Sequence, residues 1–127
     1  MNTEFILSQA DNRAIYLQIM DEVKRRIALG DWSRGFKLPS IRELAVSLSV
    51  SVITVKRAYL ELERSGVIIT QQGRGSWVSD RLDVSDMRKE ELQHHLEQAA
   101  RLAVAMGIQG EELLLLLEKY TKEGGVR

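Results

Sequence analysis

Residues 38–66 have the sequence LPSIRELAVSLSVSVITVKRAYLELERSG, and this stretch decides the fold. Ser40, followed three residues later by Glu43, forms a capping-box pattern, in which each side chain satisfies a free backbone amide at a helix start. Apolar residues then recur at helical spacing up to a break at residues 49–51. They recur again up to Gly66, and Ser51 is the expected cap of this second helix. Two short helices separated by so short a break predict a helix-turn-helix.

A β-hairpin is predicted directly after the second of these helices. Residues 67–71 are short and rich in β-branched side chains, residues 72–75 contain the glycines of a turn, and residues 76–79 can return as the partner strand. A hairpin in this place makes the helix-turn-helix a winged one.

An amphipathic helix is predicted before the helix-turn-helix. Residues 14–29 place apolar side chains four positions apart, and Gly30 ends the pattern. Residues 31–39 contain Gly and Pro and therefore form a structured connector. Trp32 in this connector and Trp77 in the hairpin are both expected to be structural aromatic residues.

Two more helices are predicted after the hairpin, the first stopping near Gly107 and the second running from about residue 111 to residue 123. The five consecutive leucines of residues 113–117 point around the whole circumference of a helix, so one small domain cannot cover them all. Each fully buried leucine contributes roughly 1.5–3 kcal/mol, and a symmetric dimer would bury more of them. The residues expected at the dimer interface are Leu92, Leu96, Ala99, Ala103, Met106, Leu113, Leu114, Leu116 and Leu117.

The predicted fold class is mainly α with a small β-hairpin. Residues 1–80 are expected to form a winged helix-turn-helix domain that binds DNA, and residues 81–127 a two-helix segment for dimerisation or effector response. The chain has 18 basic and 18 acidic residues, but residues 34–78 hold seven basic groups against three acidic ones. This local excess favours a polyanion as the partner of the first part.

The expected DNA contacts form three groups. The second helix of a helix-turn-helix offers its exposed N-terminal side chains to base edges in the major groove. The start of the first helix offers free amides and a guanidinium to phosphates, and an arginine between two glycines at the hairpin tip suits a minor groove. These groups are Ser51, Ile53, Thr54, Lys56 and Arg57; then Ser40 and Arg42; and then Gly73, Arg74 and Gly75.

Some of these residues can have a structural role instead of a contact with DNA. Thr54 can serve as a local helix cap, and Ile53 can turn inward or contact a thymine methyl group. Lys56 and Arg57 can be an ordinary exposed helical face. Tyr59 is expected in the core rather than as a platform for stacking.

Other function classes are disfavoured by residues that the sequence lacks. The chain has no Cys, which excludes disulfides and thiolate chemistry, and no Gly-rich phosphate loop or Ser-His-Asp arrangement that would predict an enzyme. His94 and His95 are adjacent and so do not share a helix face, which argues against a metal, and no cofactor is expected. A membrane span needs roughly 18 apolar residues, and we expect a cytoplasmic protein without one.

Four motifs closely resemble the GntR family of bacterial transcription regulators, over about residues 10–79. The resemblance implies a winged helix-turn-helix that binds an operator as a dimer, with an effector or oligomerisation domain behind it. It further implies that Arg42, the first residues of the recognition helix and a wing glycine, Gly73 or Gly75, contact DNA. The motifs are LPSIRELA at residues 38–45, TVKRAY at 54–59, LERSG at 62–66 and GRGSWV at 73–78.

The short tail resembles that of the YtrA subfamily. Most GntR regulators have a far longer C-terminal domain, and a reduced tail implies dimerisation in a subfamily whose members often control transporter operons. Many relatives have Asn near Ser51 and Ile53 and Pro near Arg34, so the operator sequence cannot be carried over.

The sequence therefore predicts a dimeric, sequence-specific DNA-binding regulator, most simply a repressor on a palindromic operator in double-stranded DNA. Whether a small-molecule effector controls it stays open. The alternative is a protein-interaction module that docks through its winged helix and Leu-rich tail. Arg42, Lys56 and Arg74 favour the regulator, because a protein-docking face has no need for basic groups at all three positions.

Overall fold

The computed structural model describes residues 14–122. The predicted end of the last helix at residue 123 and the start of the resemblance at residue 10 lie outside these residues. The fold class is mainly α with one antiparallel hairpin, as predicted. In chain order, the described elements are α1 Ile15–Ala28, α2 Ile41–Leu48, α3 Val52–Arg64, β1 Ile68–Gln71, β2 Gly75–Val78, α4 Val84–Met106 and α5 Gly110–Lys122.

Helices α2 and α3 begin at the serine caps that the sequence predicts. At α2 the Ser40 hydroxyl accepts from the Glu43 amide and the Glu43 carboxylate accepts from the Ser40 amide, both at 3.1 Å. At α3 the Ser51 hydroxyl accepts from the Thr54 amide at 3.1 Å. Ser49 ends α2 in the left-handed conformation, with φ of 54°. The helix-turn-helix is therefore built from local signals at both ends of its turn.

A third extended segment, at Lys37 and Leu38 of the connector, lies beside the hairpin and is not predicted from the sequence. Strands β1 and β2 pair from Ile68 opposite Val78 to Gln71 opposite Gly75. The connector runs along β2, because Lys37 forms an isolated bridge with Trp77 and the Leu38 amide donates to the Ser76 carbonyl at 2.9 Å. An extended segment this short has no alternating pattern by which it could be predicted.

One apolar core joins α1, α2, α3, the connector and the hairpin. Trp32 is fully buried and stacks on Phe36 with ring centroids 5.0 Å apart, which confirms its structural role. Trp77 lies outside this core: it is partly exposed, whereas its neighbours Ser76 and Val78 are buried, because side chains alternate across a strand. The buried core residues are Ile19, Val23, Ile27, Trp32, Leu38, Leu44, Ala45, Val55, Ala58, Tyr59, Leu62, Val67, Ile68 and Val78.

Tyr59 connects α3 to the entry of α2. Its side chain is buried, as predicted, and its hydroxyl donates to the Pro39 carbonyl at 2.7 Å. Burial, with a smaller contribution from the negative charge of Glu43, raises the pKa of Tyr59 above its ordinary value, so the hydroxyl stays protonated and remains a donor.

Replacing Tyr59 by phenylalanine is expected to lower the free energy of unfolding by about 1–2 kcal/mol, because the Pro39 carbonyl loses its partner in a partly buried place. Urea unfolding measures this change. Tyr120→Phe is the matched control, because Tyr120 is 53% exposed on α5, and surface changes of this kind stay within about 0.5 kcal/mol. Equal stability of the two variants would show that the Tyr59 hydrogen bond contributes nothing.

The described chain divides into two compact units, the first ending at Lys89 and the second beginning at Glu90. Leu82, Val84 and Met87 pack against the core of the first unit. Hydrogen bonds also hold this segment, from Arg34 Nη2 to the Leu82 carbonyl at 2.9 Å and from Arg88 Nε to the Ala28 carbonyl at 3.0 Å. The first compact unit thus includes residues after the hairpin, and the division of functions between the two parts of the chain stays a prediction.

The described part of the second unit buries very little apolar surface. Ala103 is the buried residue of α4, and α5 has none. A groove of about 330 Å³ in this unit is lined by Leu96, Ala99, Gly110, Leu113, Leu114 and Leu117. Its exposed large apolar side chains are Leu92, Leu96, Leu102, Val104, Met106, Leu114, Leu115, Leu116, Leu117 and Tyr120. Within residues 14–122, no helix is both long enough and apolar enough to cross a membrane.

Candidate nucleic-acid interface

The N-terminal half of α3 presents an exposed face. The helix turns its other face, with Val55 and Ala58, into the core. Ser51, Lys56 and Arg57 are exposed, and Ile53 is 79% exposed, so the inward alternative for Ile53 is wrong. An apolar side chain held out in water is available to a thymine methyl group.

Thr54 is partly buried and participates in the cap of α3. Its hydroxyl lies 2.8 Å from the Ser51 hydroxyl, and its amide donates to the same oxygen. Thr54 therefore has the local role in the helix cap that the sequence offered as an alternative to a DNA contact. A contact between Thr54 and DNA stays a prediction, and it requires the hydroxyl pair to turn towards a base or a phosphate.

Arg57 lies over the aromatic ring of Tyr16, a contact that the sequence does not predict. Its guanidinium carbon is 3.8 Å from the Tyr16 ring centroid, and its Nη2 donates to the Tyr16 hydroxyl at 3.2 Å. Tyr16 lies in the first turn of α1, so this pair joins α1 to the exposed face of α3. Because the side chain is held by one ring face and one hydrogen bond, its remaining N–H groups can still donate to a phosphate.

The first turn of α2 holds Arg42 and Ser40 at the surface. Arg42 is exposed in the turn that the Ser40–Glu43 capping box fixes. The hydrogen bonds from the amide and hydroxyl of Ser40 lower the pKa of Glu43, which keeps its carboxylate charged and the box closed. The Ser40 hydroxyl is thus part of the capping box, and a contact between Ser40 and a phosphate stays a prediction.

The hairpin tip places Arg74 in an exposed turn, with its amide donating to the Gln71 carbonyl at 2.9 Å. The two flanking glycines differ. Gly73 has φ of +79°, and a β-carbon there would meet no atom within 4 Å. Gly75 has φ of +121°, and a β-carbon there would lie 2.9 Å from Lys37 Cε. Gly73 therefore provides the positive φ that the turn needs, whereas the space beside Gly75 is occupied by the Lys37 side chain.

Three cations of the predicted interface are free of protein partners in the described chain. Within residues 14–122, the structure shows no hydrogen bond or ion pair for the side chains of Arg42, Lys56 and Arg74. By contrast, Arg57 contacts Tyr16 and Arg64 pairs with Glu61 at 2.7 Å. An exposed guanidinium or ammonium without a protein partner is the kind of group that binds a phosphate or a base edge.

Within residues 14–122, the adjacent histidines of α4 belong to no cluster of metal ligands. His95 Nε2 lies 2.9 Å from Glu91 Oε1, one turn away on the same helix. Across residues 14–122, no group of three or more His, Asp or Glu side chains is arranged to hold a metal ion.

Comparison with known proteins shows which family this chain resembles. Residues 15–78 match the family model described as bacterial regulatory proteins, gntR family. The chain is 34% identical over 115 residues to the HTH-type transcriptional regulator YhcF of Bacillus subtilis (strain 168), covering 90% of this chain and 94% of YhcF. It is 46% identical over 66 residues to the HTH-type transcriptional repressor YtrA of the same organism, covering 52% and 51% of the two chains.

Solved structures agree with this assignment. A GntR family transcriptional regulator from Listeria monocytogenes has a TM-score of 0.69 and 31% identity, covering 86% of this chain and 96% of the other. The DNA-binding domain of AraR in complex with operator ORX1 has a TM-score of 0.51 and 28% identity, covering 60% of this chain and 90% of that domain. The chain is therefore a DNA-binding transcription regulator and belongs to the GntR family.

Proposed function

We propose that this protein is a repressor that binds a palindromic operator as a homodimer. The observation that carries the proposal is the set of unpartnered cations, because Arg42, Lys56 and Arg74 lie on the three elements that a winged helix-turn-helix applies to DNA. In the proposed complex the start of α3 enters the major groove, the first turn of α2 contacts phosphates, and Arg74 enters the minor groove. Operator DNA lies in the bacterial cytoplasm, so we place the activity there.

Repression and the kind of target gene are supported by the relatives. YtrA of Bacillus subtilis is described as a repressor, and a bound regulator represses most simply by excluding polymerase from its operator. The resemblance to the YtrA subfamily supports a transporter operon as the target.

The homodimer is supported by the apolar surface of the second unit. The 330 Å³ groove is lined almost entirely by leucine and alanine, and Leu114 and Leu117 on its wall are 62% and 44% exposed. Exposed apolar surface of this kind marks an interaction site. A second copy of the chain would bury the leucines and would also supply a second α3 for the other half-site.

Selection of bound duplexes from a random DNA pool tests the proposal. We expect a two-fold symmetric motif to be enriched, and the affinity for it to fall steeply as the salt concentration rises, because phosphate contacts release counterions. Recovery of a single asymmetric half-site would contradict the palindrome. Absence of any motif, with weak binding at low salt, would favour the protein-interaction module instead.

A further inference from the structure

Lys37 is an exposed cation outside the three groups of expected DNA contacts. It lies in the connector immediately before the LPSIRELA motif, and its backbone forms a bridge with Trp77 of β2. Its ammonium nitrogen is 5.7 Å from the Trp77 ring centroid. The side chain is therefore held against the wing rather than extended freely into solvent.

Gly75 provides the room for this side chain. A β-carbon on residue 75 would lie 2.9 Å from Lys37 Cε and 3.7 Å from Lys37 Nζ. Gly75 is also the first residue of β2, one position after Arg74. The Lys37 ammonium group thus lies beside the end of the turn that presents Arg74.

The charge of Lys37 also reaches the start of α2. Lys37 lies three residues before Ser40, the N-cap of α2, and its charge is the smallest of the causes that lower the pKa of Glu43, after both hydrogen bonds from Ser40. Glu43 closes the capping box one residue after Arg42. Lys37 is accordingly near both elements, the wing turn and the first turn of α2, on which predicted DNA contacts lie.

We propose that Lys37 binds a phosphate of the DNA backbone between the contacts made by Arg42 and Arg74. This inference rests on the proposed function, because it assumes that α2 and the wing approach the same duplex. A lysine ammonium is a compact point charge suited to a phosphate, and a phosphate contact positions the protein without reading sequence. Gly75 leaves room for the end of the lysine side chain, which an alanine at residue 75 would displace.

The contact between Lys37 and a phosphate is tested by titrating two duplexes at several salt concentrations. One is the duplex enriched from the random DNA pool, and the other is a scrambled duplex. Lys37→Gln is expected to lower the affinity for both duplexes about five- to tenfold and to reduce the magnitude of the salt slope by about 0.9. Lys37→Arg retains the charge and should bind like the parent protein. Lys89→Gln removes an exposed lysine of α4 and should leave both quantities unchanged.

A double-mutant cycle tests the role of Gly75. Gly75→Ala is expected to weaken binding more in the parent protein than in Lys37→Ala, because backbone strain at residue 75 is common to both backgrounds and cancels. Thermal unfolding of each variant checks that the fold is retained.

Two results would overturn the inference, and they are distinguishable. If Lys37→Gln keeps the parent affinity and salt slope while Arg42→Ala loses both, the Lys37 contact is wrong and the proposed function stands. If both variants bind like the parent protein, the proposed DNA-binding surface itself is wrong.

Discussion

An Arg42→Ala variant is expected to bind every duplex about 10- to 100-fold more weakly than the parent protein, with a smaller salt slope. The loss of one charge-assisted hydrogen-bonding group accounts for an effect of this size. Arg42 is exposed and has no hydrogen-bond or ion-pair partner within residues 14–122, so its removal breaks no hydrogen bond or ion pair in the described chain. Fluorescence anisotropy titrations at several salt concentrations measure the affinity and the slope.

Two further variants define what Arg42 does. Arg81→Ala removes an exposed arginine after the hairpin and is the matched control, expected to bind like the parent protein. Arg42→Lys keeps the charge but loses the bidentate fork. If Arg42→Lys binds all duplexes well but discriminates poorly between them, Arg42 contacts a base. If Arg42→Lys recovers both the affinity and the discrimination of the parent protein, Arg42 contacts a phosphate. An unchanged affinity and salt slope in Arg42→Ala would remove it from the interface.

The second large effect is expected from the double variant Leu114→Glu with Leu117→Glu. Both side chains are exposed in the single chain, so the change should not damage its fold, but two carboxylates in a dimer interface would be desolvated without partners. We expect the sedimentation mass to fall from that of two chains to that of one. Affinity for the two-half-site duplex should fall by about 10²- to 10⁴-fold, because linked half-sites act at a high effective concentration.

A single half-site and a control variant separate dimerisation from DNA contact. The double variant is expected to bind an isolated half-site like the parent protein. Leu29→Glu introduces the same charge at a leucine that is 63% exposed after α1, and it should leave the mass unchanged. A parent protein that already sediments as one chain would refute the homodimer and direct attention to another protein as the partner of the tail.

Local signals account for the parts of the structure that the sequence predicts well. The Ser40 and Ser51 caps, the glycines at residues 30 and 66, and the β-branched strand each determine backbone conformation within a few residues. The helix-turn-helix, the hairpin and the positions of Arg42 and Arg74 follow from them. The family resemblance then adds the expected roles of these residues, which periodicity alone does not give.

Contacts between distant residues are the part that the sequence does not predict. Tyr16 and Arg57 are 41 positions apart, and nothing in their local patterns indicates that one covers the other. The same is true of Lys37 and Gly75. The sequence predicts Gly75 as a DNA contact, although the space beside it holds the Lys37 side chain. The partial exposure of Trp77 is also not predicted by its local sequence. Strand alternation determines which side chains share a face but not which face packs on the core.

The hydrogen bond from Tyr59 to Pro39 bears on the thermodynamics of recognition. It joins α3, the helix that we propose enters the major groove, to the entry of α2, which carries Arg42. Because these two helices are held in one arrangement before DNA arrives, little conformational entropy remains to be lost on binding. In the proposed complex the protein would act as a rigid template, and the duplex would make the adjustment. Operators whose base steps deform easily would be favoured even at positions that no side chain touches.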